Sequence, residues 1–139
     1  MQKNVTIQNV TTLTLEEIYG AMSEMYDNVM VPEDILTIED LEKISAMLGW
    51  AVNQKAYLNS LHTWLDIRCR QLKELKEKEA YTTMVGRKAV VKAYFDRVDD
   101  IYKACSRQGT LWSDARKERA EIDRLENMFM EASKNAKAV

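Results

Sequence analysis

The chain has 139 residues, 46% hydrophobic and 30% charged, with a net charge of −2, which fits one folded domain and excludes a wholly disordered chain. Glycine occurs four times and proline once, so long helices are expected rather than the many turns of a sheet protein. No apolar run approaches the roughly 18 residues that cross a bilayer, and the start lacks the apolar core of a signal peptide. A cytoplasmic protein with no membrane partner is therefore expected.

Charge is distributed unevenly along the chain. Residues 1–50 carry two basic and nine acidic side chains, a net charge of −7. Residues 66–92 carry eight basic and four acidic side chains, a net charge of +4. These opposite poles could attract each other, within one chain or between two copies, or could bind an outside partner.

Residues 1–13 include a short β-branched stretch, NVTIQNV at 4–10. Because no second strand-like run lies near it, we expect an extended N-terminal arm or a strand that pairs with another molecule. Thr14 and Glu17 form a capping box that begins a first helix, and Pro32 prevents this helix from continuing.

Thr37 and Asp40 begin the second helix in a similar way. The apolar face of this helix shifts by about a quarter turn at Gly49. The helix therefore either breaks at Gly49 or packs its two parts against different neighbours. We expect it to end near Ala80, with the turn at Tyr81–Thr83.

A further helix carries apolar side chains from Val91 to Cys105, and a shifted apolar face continues from Leu111 to Phe129. Gly109 between them suits a helix C-cap, although a continuous helix through it would cost only about 1 kcal/mol. Two helices of about 25–30 residues joined by a short turn must lie antiparallel.

The predicted fold is therefore all-α, a helical bundle built on a long antiparallel helical hairpin with shorter N-terminal helices. It would form a single domain over residues 14–135, followed by a frayed tail at 136–139. With the turn near residue 82, Cys69 and Cys105 would be offset by about 15 Å along the hairpin, too far for a disulfide. Both thiols are predicted to be free and largely buried.

An aromatic stripe lies on the second helix, where Trp50, Tyr57 and Trp64 recur every seven residues and share a flank with Arg68. Leucines on the same arc favour a seam inside the bundle, with the polar ends of the rings at its edge. A partner interface, or a platform for stacked bases beside Arg68, is the alternative.

Acidic residues cluster before and at the start of the second helix. They are Glu33, Asp34, Glu39, Asp40 and Glu42. Solvated residues favoured by the helix dipole are the simpler interpretation, and a surface that binds a basic partner is the alternative. The chain lacks the Glu-x-x-His pairs of di-iron bundles and the ligand spacing of an EF-hand, so no metal or cofactor is expected.

Basic residues surround the predicted hairpin tip. They are Arg70, Lys73, Arg87, Lys88 and Lys92, together with Arg68 and Lys76. Interleaved acids favour a solvated tip. Contact with nucleic-acid phosphates, or with the acidic segment of another copy, is the alternative.

Catalytic motifs are missing from the sequence. His62, the only histidine, shares a helix face with Asp66 and Cys69, but these are too few ligands for zinc. Cys69 is also about two turns from His62, too far for direct proton transfer. Because no Gly-rich phosphate loop, nucleophile elbow, CxxC pair or HExxH motif occurs, we expect no catalytic residue and no enzymatic activity.

Together these features predict a non-enzymatic protein–protein interaction module, with a homodimer as the simplest assembly. In style and composition the chain resembles small acidic helical proteins encoded by phages and other mobile elements, including inhibitors of host defence enzymes. The resemblance implies an inhibitor whose acidic helical surface binds a host nucleic-acid-binding protein. The alternative function is a nucleic-acid-binding helical module that uses the basic hairpin tip.

Overall fold

The computed structural model describes residues 4–35 and 37–138, with side chains described as far as Asn135. It contains three helices, α1 (Leu15–Tyr26), α2 (Ile38–Glu74) and α3 (Lys78–Ala138). The predicted all-α fold is confirmed, because α2 and α3 form a long antiparallel hairpin and α1 packs on α3. No helix within the described ranges is long and apolar enough to cross a membrane.

Both predicted capping boxes are present. The Thr14 hydroxyl accepts a hydrogen bond from the Glu17 amide, and the Glu17 carboxylate accepts one from the Thr14 amide, each at 3.1 Å. Thr37 and Asp40 repeat this arrangement at the same distances. Each box satisfies backbone amides that a helix start leaves unpaired, so local sequence sets where α1 and α2 begin.

The hairpin turn lies earlier than predicted, because α2 ends at Glu74 and the chain reverses over Leu75–Glu77. Lys76 adopts a left-handed conformation with a φ of 59°. The Lys76 and Glu77 amides donate to the Lys73 and Leu72 carbonyls at 3.1 and 3.0 Å. These two bonds form a Schellman motif, a helix ending that usually carries glycine where Lys76 stands.

The turn predicted at Tyr81–Thr83 is wrong, since these residues lie inside α3. Threonine favours turns because its hydroxyl competes for backbone hydrogen bonds. Here the Thr82 hydroxyl donates to the Lys78 carbonyl one helical turn earlier, at 3.0 Å, and Thr83 does the same with Glu79. These bonds keep both side chains compatible with a helix.

Neither Gly49 nor Gly109 breaks its helix. α2 continues through Gly49, and α3 continues through Gly109, so the predicted C-cap at Gly109 is wrong. A glycine inside a helix costs only about 1 kcal/mol relative to alanine, which packing elsewhere along a long helix can offset. α3 also includes residues 136–138 of the predicted tail, while Val139 lies outside the described residues.

The N-terminal segment differs from the extended arm predicted for residues 1–13. Residues 1–3 lie outside the described residues, and residues 7–12 form successive turns. The Asn9 side chain stabilises them, because it accepts from the Thr6 amide at 2.7 Å and donates to the Asn4 carbonyl at 2.8 Å. A lone strand would leave these backbone groups without partners, whereas turns satisfy them locally.

This segment belongs to the core of the bundle. Its buried residues are Val5, Val10 and Leu13. They join buried side chains of the three helices, among them Ile18, Met22, Tyr26, Ile44, Leu58, Leu65, Val91 and Val98. Cys69 and Cys105 are also buried and free, as predicted.

α3 has two halves with different surroundings. From Met84 to Cys105 it contributes buried side chains to the core, whereas every described side chain from Ser113 to Asn135 is exposed. The hairpin register, in which Lys55 pairs with Asp99 at 2.8 Å, places the start of α2 beside about residue 116 of α3. The remaining part of α3 extends about 30 Å beyond α2.

Candidate interaction surface

The distal half of α3 carries an uncovered apolar face, here called the distal stripe. Its residues are Leu111, Ala115, Ile122, Leu125, Phe129 and Ala132. At 3.6 residues per turn they lie within an arc of about 100°. Phe129 is 74% exposed, Leu111 58%, Leu125 51% and Ile122 46%, so the described part of the chain leaves this face open to solvent. Such a face is typical of a surface that binds another molecule.

The distal stripe begins where the bundle stops covering the same flank of α3. Upstream, Arg97 donates to the Asp27 carbonyl at 2.9 Å, and Gln108 donates to the Glu33 carbonyl. Helix geometry places Arg97, Gln108 and Ala115 within about 20° of one another around the α3 axis. The segment that follows α1 therefore runs along this flank as far as Gln108, and the flank is open from Leu111 onward.

Charged side chains border the distal stripe and pair within the helix. Arg119 lies 3.0 Å from Asp123, and Arg124 lies 2.6 Å from Glu121. The Arg124 guanidinium lowers the pKa of the Glu121 carboxyl below its usual value. A polar rim around an apolar centre is the usual anatomy of a protein–protein interface.

The predicted acidic surface is level with the base of this stripe, and its α2 part lies on the opposite side of α3. Glu33, Asp34, Glu39 and Glu42 are exposed, whereas Asp40 is half-buried because its carboxylate caps α2. The Glu33 backbone contacts Gln108, and residues that follow Glu39 face residues 113 and 114 of α3 across a shallow groove. The structure thus brings the acidic residues to the end of the bundle from which the distal half of α3 emerges.

The aromatic stripe on α2 is divided between two environments. Trp50 packs against Tyr26 with ring centroids 5.9 Å apart, and the Tyr57 hydroxyl donates to the Val5 carbonyl. Burial raises the pKa of Tyr57. Trp64 is instead 44% exposed, and Arg68 donates to the Gln71 side chain at 3.2 Å. The first two rings form the edge of the bundle core, and the third faces solvent.

The predicted basic tip is largely engaged in contacts within the chain. Arg87 is only 9% exposed. Lys88 lies 2.9 Å from Asp66, which also pairs with Arg70, and Lys92 lies 2.9 Å from an acid one turn later. The ammonium of Lys88 and the guanidinium of Arg70 lower the pKa of Asp66. Arg70, Lys73 and Lys92 are exposed, and Lys73 lies nearest the turn.

Arg87 has a structural role that the sequence did not indicate. Its Nε and Nη2 atoms donate to the Leu13 carbonyl at 2.9 and 2.7 Å. The bond joins α3 to the last residue before the α1 capping box. A basic residue near a predicted hairpin tip gives no signal of a partner 74 positions away in the sequence.

Burial shifts the pKa of His62 and of both cysteines. His62 is half-buried, and burial, with the nearby ammonium of Lys88, lowers its pKa. Burial raises the pKa of both Cys69 and Cys105, which disfavours the reactive thiolate. The described part of the chain also contains no group of three or more His, Cys, Asp or Glu side chains placed to hold a metal ion.

Sequence reasoning noted the apolar face after Gly109 but did not identify it as a site. The signal was the alternation of four- and three-residue steps from Leu111 to Ala132. Only the tertiary structure reveals that no described element covers this face.

Comparison with known proteins adds no relative from which a function could be transferred. No family model matches the chain, and neither a curated protein nor a solved structure does. Function therefore has to be inferred from the surfaces of the molecule itself.

Proposed function

We propose that this chain is a non-enzymatic protein–protein interaction module that binds through the distal stripe, with the acidic surface as a secondary contact. The observation that carries this proposal is the exposure of Leu111, Ile122, Leu125 and Phe129 on a helix that extends about 30 Å beyond the bundle. Covering such side chains releases about 25 cal/mol for each Å² of apolar surface removed from water. A binding partner is the natural source of that cover.

The acidic surface supports a charged component of binding. Glu33, Asp34, Glu39 and Glu42 are exposed at the end of the bundle from which the distal half of α3 emerges, in a segment with a net charge of −7. Such a surface would accelerate association with a basic partner and would disfavour acidic ones. The narrower hypothesis is an inhibitor, phage- or mobile-element-encoded, that uses this surface to occupy the groove of a nucleic-acid-binding host protein.

A matched pair of substitutions on α3 tests the distal stripe. Leu125→Glu places a charge at the centre of the stripe, whereas Ala120→Glu places the same charge on the opposite face of the same helix. Both positions are exposed, so neither substitution should unfold the bundle. Circular dichroism of each variant checks this point.

The measurement compares the complexes that the tagged full chain and its two variants form in an extract of the source cells. Complexes between copies of the chain and complexes with other proteins both count. Chemical cross-linking with mass spectrometry should find complexes for the native chain and for Ala120→Glu, and few or none for Leu125→Glu. Equal recovery from all three proteins would refute binding through the distal stripe.

Charge reversal tests the acidic component separately. Glu39→Lys with Glu42→Lys should weaken binding to a basic partner and reduce its dependence on salt concentration. Asp40 is left unchanged because its carboxylate caps α2. Unchanged binding by calorimetry would exclude the acidic surface while leaving the distal stripe in place.

A further inference from the structure

We propose that the partner of the distal stripe is a second copy of this chain, held in an antiparallel two-helix contact between the distal halves of α3. This inference rests on the proposed function and names the partner of the same surface. The argument uses the spacing of the stripe, the position of Glu118 and the charges that flank the stripe.

The spacing is that of a coiled-coil seam. Positions 111, 115, 118, 122, 125, 129 and 132 alternate steps of four and three residues, which is the heptad pattern of two helices that pack side by side. All but position 118 are apolar. The stretch is one continuous helix with its described side chains exposed, so the seam is already formed and open.

Glu118 excludes a parallel arrangement. In a parallel pair each seam residue faces the same residue of the other chain, so two Glu118 carboxylates would meet in an apolar seam. In an antiparallel pair with Ile122 opposite Leu125 of the second copy, Glu118 instead lies opposite Phe129. The carboxylate can then reach the solvent at the edge of the seam.

The same antiparallel register matches side chains by size. Ile122 and Leu125 of both copies meet at the centre. Ala115 lies opposite Ala132 of the second copy on both sides of this centre, which allows the two backbones to approach closely there. Large apolar residues thus occupy the middle of the contact, and alanines flank it.

The flanking charges pair without like-charge repulsion only in this orientation. Arg119 and Glu126 occupy equivalent flanking positions one heptad apart, and antiparallel packing places Arg119 beside Glu126 of the second copy twice. In a parallel pair Glu121 would instead lie beside Glu126 of the second copy, so that like charges would repel. Charge and seam composition therefore favour the same orientation.

Sedimentation equilibrium of the purified full chain, from low micromolar to near-millimolar concentration, tests whether a second copy binds. The expected limiting mass is twice the chain mass of 16.1 kDa. Leu125→Glu should be monomeric throughout, and Ala120→Glu should remain dimeric. A native chain that stays monomeric at the highest concentration overturns the inference.

Charge swaps test the orientation. Arg119→Glu and Glu126→Arg should each weaken dimerisation roughly tenfold, because each replaces two attractive contacts with two repulsive ones. An equal mixture of these two variants should form a heterodimer that restores both contacts and native affinity. Lys117→Glu and Glu131→Arg make the same charge changes outside the seam and should have little effect.

The sign of one result separates the two orientations. In a parallel dimer Glu126→Arg would strengthen association, because it would place arginine beside Glu121 of the second copy. Stronger association of this variant, or no recovery in the mixture, would overturn the antiparallel contact.

Failure of the inference can be told apart from failure of the proposed function. The native chain could prove monomeric while Leu125→Glu still abolishes its binding to another protein. That result would refute the dimer and support the proposed interaction module. If Leu125→Glu changes neither the mass of the assembly nor the complexes that the chain forms, both the dimer and binding through the distal stripe would be refuted.

Discussion

Both halves of α3 carry an apolar face at helical spacing, but this face is buried in the proximal half and exposed in the distal half. In the proximal half, seam residues such as Val91, Val98 and Cys105 are 0% exposed, because they lie in the core that α3 shares with the N-terminal segment, α1 and α2. In the distal half, Phe129 is 74% exposed. Apolar periodicity thus identifies the face of a helix that needs cover, and only the neighbouring elements determine whether that cover is present.

Charge pairing differs between the halves in the same way. Lys88 in the proximal half reaches across the hairpin to Asp66 at 2.9 Å. In the distal half, Arg119 pairs with Asp123 one turn along its own helix. Cross-helix pairs help to define the register of a hairpin, whereas pairs along one helix support only that helix.

The largest expected effect on the free energy of unfolding comes from a leucine of the core, with a leucine of the distal half as its control. Leu58→Ala removes a side chain that is 0% exposed and should destabilise the protein by about 2–5 kcal/mol. Leu125→Ala, at 51% exposure in the distal half, should change the stability of the monomer by less than about 0.5 kcal/mol. Urea unfolding at a concentration where the chain is monomeric measures both. Similar losses would mean that the distal half is covered within a single chain.

Arg87 provides the next test. Arg87→Met keeps the apolar stem but leaves the Leu13 carbonyl without its donors, so a loss of about 1–3 kcal/mol is expected. The matched change in the distal half, Arg124→Met, removes only exposed contacts and should have little effect. Thermal and urea unfolding compare the two variants. An equally small effect of Arg87→Met would show that the N-terminal segment does not depend on this bond.

Alkaline pH should destabilise the bundle through Tyr26. Burial and the neighbouring Tyr57 raise the pKa of Tyr26 well above the usual value of about 10 for tyrosine. The unfolded chain loses this proton as pH rises past about 10 while the folded chain retains it, so the free energy of unfolding falls above that pH.

Tyr26→Phe checks this pH dependence. At neutral pH the variant loses the 2.6 Å bond from the hydroxyl to Gln54, at a cost of about 0.5–1.5 kcal/mol. The deficit should shrink above pH of about 10, because the variant has no such proton to retain. Urea unfolding at several pH values measures the difference. A deficit independent of pH would contradict the assignment.

The smallest expected effect is at the boundary between the halves. A side chain added at Gly109 would meet nothing within 4 Å, so Gly109→Ala should stabilise the continuous helix by about 0.5–1 kcal/mol. Gly49→Ala, with equally open surroundings in α2, is the matched control. A gain at Gly49 without one at Gly109 would show that α3 is interrupted between its halves.

Several features could be predicted from sequence because they depend on neighbours along the chain. The capping boxes of Thr14 and Thr37, and the helical character of the long segments, follow from spacing and propensity over a few residues. The turn was misplaced because Lys76 occupies a position where glycine is the usual signal. The spacing beyond Leu111 predicts an apolar face but not whether neighbouring elements cover it.

By itself the sequence determined the helical segments, the caps that begin α1 and α2, and the apolar face of each helix, since these depend on contacts within one or two turns. Only the tertiary structure decided that Arg87 is buried against Leu13 and that the N-terminal segment packs its turns on the core. It also decided that α3 extends beyond the helices that pack on it. The physical reason is that burial depends on which surfaces meet across the chain. The apolar periodicity of a helix shows only that one of its faces is stabilised by burial, not which surface buries it.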